Sequence, residues 1–257
     1  MTYNKIDLNC DLGESYGAYT IGQDKEILTL ISSANIACGY HAGDPIVMAK
    51  TIEMCLENKV AIGAHPGYPD LQGFGRRDMS MSHRELYCMT MYQIAALKGM
   101  TEAAGGFLHH VKPHGALYNL AARDHLVAQA LAEAVYHVAP TAILYGLANS
   151  ELVNAGDRIG LQTAHEVFAD RTYQSNGQLT PRSEPNSIIK EASIAVQQVL
   201  QMIESGTVNS LDGTPISIKA DTVCLHGDHP SAVAFARELK EHLRTNDIMV
   251  EAIPLVQ

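Results

Sequence analysis

The reactive side chains of this 257-residue chain recur in one setting, a histidine or acid just past an apolar run and flanked by glycine or proline. Asn9-Cys10-Asp11-Leu12-Gly13-Glu14 offers Asn9, Asp11 and Glu14. Ala37-Cys38-Gly39-Tyr40-His41-Ala42-Gly43-Asp44 and Gly63-Ala64-His65-Pro66-Gly67-Tyr68-Pro69-Asp70 each present one histidine, His41 and His65, in matching contexts. Glycine there leaves room for a substrate to approach and proline stiffens the loop, so both rings read as presented rather than packed away. A carboxylate and imidazoles on neighbouring strands suit a divalent metal with an open water position. The same groups suit metal-free acid–base chemistry, because imidazole titrates near neutral pH.

A fourth segment, His109-His110-Val111-Lys112-Pro113-His114-Gly115-Ala116-Leu117-Tyr118, adds Lys112 and His114, which strand alternation sends to one side. A lysine there can hold an anion or an oxyanion. The catalytic candidates are therefore Asp11, Glu14, His41, His65, Lys112 and His114. Arg76, Arg77 and Arg171, with Arg182 farther on, offer guanidinium groups to a carboxylate or phosphate. Asp44, Asp70, Tyr118, Glu166, His226 and Asp228 join the first three arginines as the expected substrate-binding set, although Asp44 and Asp228 equally suit helix N-caps.

Positioning these groups requires elements that end where they begin. Apolar stretches of strand length, near 6–9, 35–38, 60–64, 107–111, 142–145, 161–167, 222–225 and 248–253, alternate with segments of helical period. Helices are expected over 24–33, from Asp44-Pro45, from the capping box Ser82-His83-Arg84-Glu85, over 123–138, briefly near Ser150, over 187–203 and over 231–243. The polar stretch 172–185 reads as a lid or insertion. Eight of the 12 histidines fall at or just beyond strand ends. Seven or eight β-α units imply a TIM-like barrel, whose active site gathers at those ends. A doubly wound sheet shares the alternation but brings a glycine-rich nucleotide loop, and neither GxGxxG nor GxxxxGK[ST] occurs.

Length and composition bound the reading. With 46% hydrophobic and 18% charged residues the chain reads as one soluble domain, 1–257, with no membrane span. A net charge of −10 without a basic run argues against nucleic acid and for a small substrate. Five scattered cysteines without a CxxC pair argue against disulfides and structural zinc, and most read as buried thiols. The early strand leaves no apolar signal region, so the cytoplasm is the expected location.

The motifs resemble those of the LamB/YcsF family, whose members are similar to the A component of the bacterial ATP-dependent 5-oxoprolinase. The resemblance runs through Asn9 to Glu14, Asn35 to Asp44, Gly63 to Arg77, Val111 to Asn119, Glu166 to Tyr173, Leu179 to Arg182 and Cys224 to Pro230, with Tyr40 where phenylalanine is usual. It implies a distorted β/α barrel of the glycoside hydrolase/deacetylase class and ATP-coupled opening of 5-oxoproline to glutamate. It also implies partner subunits B and C, with ATP bound through the complex. In this scheme Asp11 or His41 is the base for a water attacking an ATP-activated lactam, and Lys112 or His114 steadies the developing charge. Analogy with metal-dependent deacetylases of the fold class suggests Asp11, His65 and His114 as ligands of a divalent ion. The alternatives are an amidohydrolase or deacetylase that needs the metal and no ATP, and a noncatalytic scaffold subunit.

Overall fold

The strand β1 (Lys5–Leu12) is polar at every second position, and that alternation organises the molecule. Asp7, Asn9 and Asp11 face one side, while Ile6, Leu8, Cys10 and Leu12 join the apolar layer on the other. In the computed structural model, which describes residues 5–225 and 232–256, β1 pairs in parallel with both β2 (Ser33–Ala37) and β9 (Thr222–Leu225). Between them, in order, run β3 (Ala61–His65), β4 (His110–Val111), β5 (Ile143–Leu147) and β6 (Thr163–Phe168), and β6 pairs with β9. The result is a closed, seven-stranded parallel barrel, a TIM-like α/β architecture.

The helices lie outside it: α1 (Asp24–Ile27), α2 (Pro45–Asn58), α3 (His83–Ala103), α4 (Gly115–Ala121), α5 (His125–Val138), α6 (Glu151–Arg158), α7 (Ala192–Ser205) and α8 (Ala232–Thr245). Their starts follow local chemistry. Asp44 accepts from the Ile46 and Val47 amides with Pro45 at the first helical position, and Ser82 and Glu85 close a reciprocal capping box. The outward face of the barrel and the helices form one apolar core in which Leu8, Ile36, Ile62 and Val111 meet Ile52, Leu97 and Leu131.

The barrel interior is different in kind. Such interiors are usually filled by branched aliphatic side chains, but here the inward positions carry a polar network. Asp7, 1% exposed, accepts from the hydroxyls of Ser32 (2.6 Å), Ser33 (2.6 Å), Tyr145 (3.0 Å) and Thr222 (2.5 Å). One layer up, Asn35 Nδ2 donates to Asn9 Oδ1 at 2.7 Å and to Asp11 Oδ1 at 2.9 Å, while Asn9 Nδ2 donates to Thr222 Oγ1 at 2.7 Å. His110 Nε2 donates to Asn35 Oδ1 at 2.9 Å, and its ring stacks on Tyr145 at 4.3 Å. Gly63 makes this possible, because a Cβ there would collide with the His110 ring. A buried network of this kind is tolerable only when its polar atoms are paired.

The floor is apolar. Ile143, Tyr145 and Ala164 pack with Ile253 and Leu255 from the C-terminal segment, and His109 Nε2 donates to the Ile253 carbonyl at 2.8 Å. Just before it, β10 (Met249–Val250) pairs with Lys5 and Ile6.

Several boundaries depart from the sequence expectation. The helix expected over 24–33 stops at Ile27, because Ser32 and Ser33 are drawn to Asp7 and β2 starts at Ser33. The seven-residue α4 and the hairpin of β7 (Thr207–Asn209) with β8 (Pro215–Ser217) are too short to show a period and are additions to the expected elements. The helix near Ser150 is present as α6, with Ser150 as its cap. Cys10, Cys38, Cys55 and Cys224 are buried thiols and Cys88 is half-buried, none in a disulfide. No helix among the described residues is long and apolar enough to cross a membrane.

If the interior network stabilises the barrel, Asp7→Asn should lower the unfolding free energy by about 2–4 kcal/mol, since it puts an amide donor where hydroxyls already donate. Gly63→Ala should lower it by about 1–3 kcal/mol through overpacking against His110. Urea unfolding at fixed pH measures both, and wild-type midpoints would show that the network contributes nothing.

Candidate active site

Parallel strands in a barrel end on the same side, so the residues closing β1, β3, β4, β6 and β9 meet at one mouth. At its centre is the Lys112 ammonium, 2% exposed. It lies 3.0 Å from Asp11 Oδ1, 2.8 Å from Glu166 Oε1, 3.1 Å from Asn9 Oδ1 and 3.0 Å from Cys224 Sγ. Burial alone would drive this amine towards neutrality, but the charge of Asp11, with that of Glu166, outweighs it and holds the pKa well above that of ordinary lysine. Burial keeps Cys224 a thiol despite the adjacent cation. Four acceptors surround three ammonium protons, so an incoming oxygen must displace one, and sulfur is the weakest.

Beside this node the histidines pack against one another. His65 Nδ1 donates to the Lys112 carbonyl at 2.7 Å, and His114 Nε2 donates to the Phe74 carbonyl at 2.8 Å. The other ring nitrogens, His65 Nε2 and His114 Nδ1, face each other at 3.0 Å, and Asp11 Oδ2 lies 3.3 Å from His65 Nε2. His41 stacks flat on His114 with centroids 3.7 Å apart. Glu14 Oε1 is 3.7 Å from His41 Nε2 and 3.8 Å from His114 Nδ1. Burial first, and the neighbouring imidazoles second, hold His41 and His114 well below the usual histidine pKa.

Gly63, Gly67 and Gly75 prove to make room for rings rather than for substrate, whereas Gly73 lies against the Asp70 and Arg77 side chains. A Cβ at Gly67 would lie 2.5 Å from His41 Nδ1, and one at Gly75 would lie 2.7 Å from His41 Cβ and 2.9 Å from His114 Cδ2. Phe74 holds a left-handed φ of 54°, which aims its carbonyl at His114 while its ring meets both imidazoles edge-on.

The cleft above the mouth is lined by Asp11, His65, Lys112, His114 and Tyr118, with Arg76, Arg171 and Arg182 among its walls. Arg76 also lies over the Phe74 ring. Arg171 donates to the carbonyls of Ser187 and Thr180, which fastens the stretch expected as a lid to the barrel rim. Its burial, and next to it the Arg182 charge, bring Arg171 down to about 10. Tyr118, beside Glu166, is held well above the ordinary phenol value by burial and by that charge, so it stays protonated.

Other expected residues fall elsewhere. His41 and Glu14 lie behind His114, outside the cleft lining. Asp44 caps α2 and accepts from the Gly17 amide, so its oxygens serve the backbone rather than a substrate. Asp70 and Arg77 pair with each other to close their loop, and this partner holds the Asp70 carboxyl at about 2. His109 and His110 belong to the lower barrel and His165 to the half-buried side of β6, where its Nδ1 accepts from the Asn149 amide. His226 and Asp228 lie outside the described residues. Of the metal set Asp11, His65 and His114, all three meet, but Asp11 Oδ1 is engaged by Lys112 and Asn35. Glu14, His41, His65 and His114 are the described residues whose ligand atoms lie within 4.8 Å of one another, as a metal ion needs. Asn9, Asn35 and Cys224 enter the site through the period-two polarity of their strands, a signal visible in the sequence.

Comparison with known proteins fits this picture. The sequence model of the LamB/YcsF family matches residues 6–257. The A component of 5-oxoprolinase from Bacillus subtilis (strain 168) is 58% identical over 97% of both chains. That of Brevibacillus brevis is 56% identical over 96% of this chain and 97% of its own. The crystal structure of a lactam utilization protein from Thermus thermophilus superposes with a TM-score of 0.92 at 44% identity, covering 97% of this chain and all (100%) of that one.

Buried neutral imidazoles set a pH dependence. The folded-state pKa values of His41 and His110 lie well below that of an unfolded histidine, chiefly through burial. Below pH about 6.5 the unfolded chain therefore binds protons that the native chain refuses. Stability should be full above that pH and fall as pH drops, by up to about 1.4 kcal/mol per unit for each histidine. Thermal unfolding between pH 8 and pH 5 tests this, and a flat or rising melting temperature towards acid would contradict it.

Proposed function

The chain belongs to the LamB/YcsF family, and from that premise we propose that it is the ring-opening subunit of an ATP-dependent 5-oxoprolinase, working with partner subunits B and C. The reading takes its substrate from relatives named as the A component of 5-oxoprolinase and from the similar lactam utilization protein. The observation that carries it is the Lys112 node, a buried cation between Asp11 and Glu166 that opens onto a cleft walled by Arg76, Arg171 and Arg182.

5-Oxoproline offers matching chemistry. Its carboxylate suits the arginine wall, and its lactam carbon suits the mouth. Amide resonance protects the ring C–N bond, so the lactam carbon must first be made more electrophilic through a change at its oxygen. Transfer of the ATP γ-phosphoryl group to that oxygen does this, and the lack of a GxxxxGK[ST] loop in this chain supports placing the transfer on the partners.

In this barrel, Asp11 takes a proton from water as the water adds to the ring carbon of the phosphorylated lactam and the C=N electron pair moves to the ring nitrogen, while the Lys112 charge faces the phosphorylated oxygen. The C–N bond then breaks with a proton passed to nitrogen, a proton that we assign to the hydroxyl of Tyr118 in the cleft wall. Ring opening consumes one water, and release of the phosphoryl group as phosphate consumes a second, so lactam, ATP and two waters give glutamate, ADP and phosphate. His41, shielded behind His114, is displaced by Asp11 as the base. The four-ligand histidine cluster favours the second reading, an ATP-independent metal amidohydrolase.

One assay separates them. Glutamate release from 5-oxoproline should require ATP and the partner subunits, and Asp11→Asn should lower kcat by roughly 100-fold or more without preventing assembly. Release by this chain alone without ATP would favour the amidohydrolase, and full activity of Asp11→Asn would favour a scaffold.

A further inference from the structure

Hydrogen positions can be counted at the histidine cluster. The Lys112 and Phe74 carbonyls only accept, so His65 carries its proton on Nδ1 and His114 carries its own on Nε2. In neutral rings, His65 Nε2 and His114 Nδ1 are then both bare lone pairs, and they face each other at 3.0 Å. Asp11 Oδ2 lies 3.3 Å from the first, and Glu14 Oε1 lies 3.8 Å from the second and 3.7 Å from His41 Nε2. Electron-rich atoms gathered in this way repel unless a cation lies among them.

One shared proton would relieve the contact between two rings. Facing nitrogens therefore do not by themselves indicate a metal, and His109 and His110 show the same arrangement deeper in the barrel at 3.1 Å. The mouth differs in two respects. A carboxylate and a third imidazole converge on it, with the ligand atoms of Glu14, His41, His65 and His114 all within 4.8 Å of one another. In addition His41, 0% exposed, has no hydrogen-bond partner on either ring nitrogen, a condition that a proton on His65 or His114 leaves unchanged. The outer nitrogens of His65 and His114, each anchored to a backbone carbonyl, match the way metal-bound imidazoles are oriented by their surroundings.

We propose that Glu14, His41, His65 and His114 bind one first-row divalent transition ion of the zinc type at the barrel mouth. Three imidazoles and a carboxylate suit such an ion better than magnesium or calcium, which prefer oxygen. Ligand bonds of about 2.1 Å in tetrahedral geometry separate ligand atoms by about 3.4 Å, so the His65–His114 contact opens by a few tenths of an ångström. The His41 ring turns out of its stack, because one ion cannot lie in two parallel ring planes 3.7 Å apart. Asp11 and Lys112 then flank the ion on the cleft side, where a water or a substrate oxygen would reach it only as a fifth ligand.

The test reads metal directly and needs neither substrate nor partner subunits, so it can fail while the lactam reading stands, and the reverse. Untagged full-length chain is stripped with chelator, titrated with zinc in a calorimeter, and dialysed for elemental analysis; a cobalt(II)-loaded sample is examined by visible absorption. The expected result is one equivalent per chain, cobalt bands of nitrogen–oxygen coordination, and at least tenfold weaker zinc binding in Glu14→Gln and His41→Gln. His114→Gln should lose the site. Circular dichroism confirms that the variants are folded, and the wild-type cobalt spectrum bears on the proposal even if one is not. Less than a tenth of an equivalent on wild type, or unchanged binding in folded Glu14→Gln and His114→Gln, would overturn it.

Discussion

A positive charge cannot sit inside a barrel unless anions and acceptors reach it within hydrogen-bonding distance, and Lys112 imposes that requirement on four strands at once. Its neighbours Asn9 and Asp11 come from β1, Glu166 from β6 and Cys224 from β9, while Lys112 itself follows β4. Removing one partner from such a cage leaves a buried charge poorly compensated, which is far more costly than losing a surface ion pair. The strand registers are thereby tied to the chemistry, because slippage by one residue would turn these side chains towards the helices.

Asn35 links this mouth to the layers beneath, bonding Asn9 and Asp11 through its amide and His110 through its carbonyl. Thr222 continues the path to Asp7, since it accepts from Asn9 and donates to the carboxylate. A barrel packed with branched aliphatics could hold the same backbone, but it would not fix the side-chain rotamers of Asp11 and Lys112. The network sets them from below, a form of preorganisation that an electrostatic site requires.

Much of this is legible in the sequence. Alternating β-α segments specify the barrel, and glycine-flanked histidines mark the mouth correctly at His65 and His114. The glycines themselves mislead, because at Gly67 and Gly75 the space is filled by imidazole, which only the folded loop reveals. Asp44 and Asp70 look available, yet local backbone amides and Arg77 occupy their oxygens. The inward row Asp7, Asn9, Asp11 and the pair Ser33, Asn35 display a period of two that is open to reading; it is easily passed over because barrel interiors are expected to be apolar. The clustering of Glu14 with His41 behind His114 depends on how two loops fold back, and nothing in local spacing encodes it.

The way the ring closes has a consequence for biosynthesis. Asp7 is made long before its hydroxyl donors Tyr145 and Thr222, which follow it by 138 and 215 positions, and the floor awaits Ile253 and Leu255. A nascent chain emerging from the ribosome can form its early helices but must keep the interior of the unfinished barrel in water until the residues of β9 and the floor segment have been made. Water is a good host for such polar side chains. A polar lumen thus protects the half-made protein from the sticky, unclosed sheet that an aliphatic interior would expose throughout its synthesis.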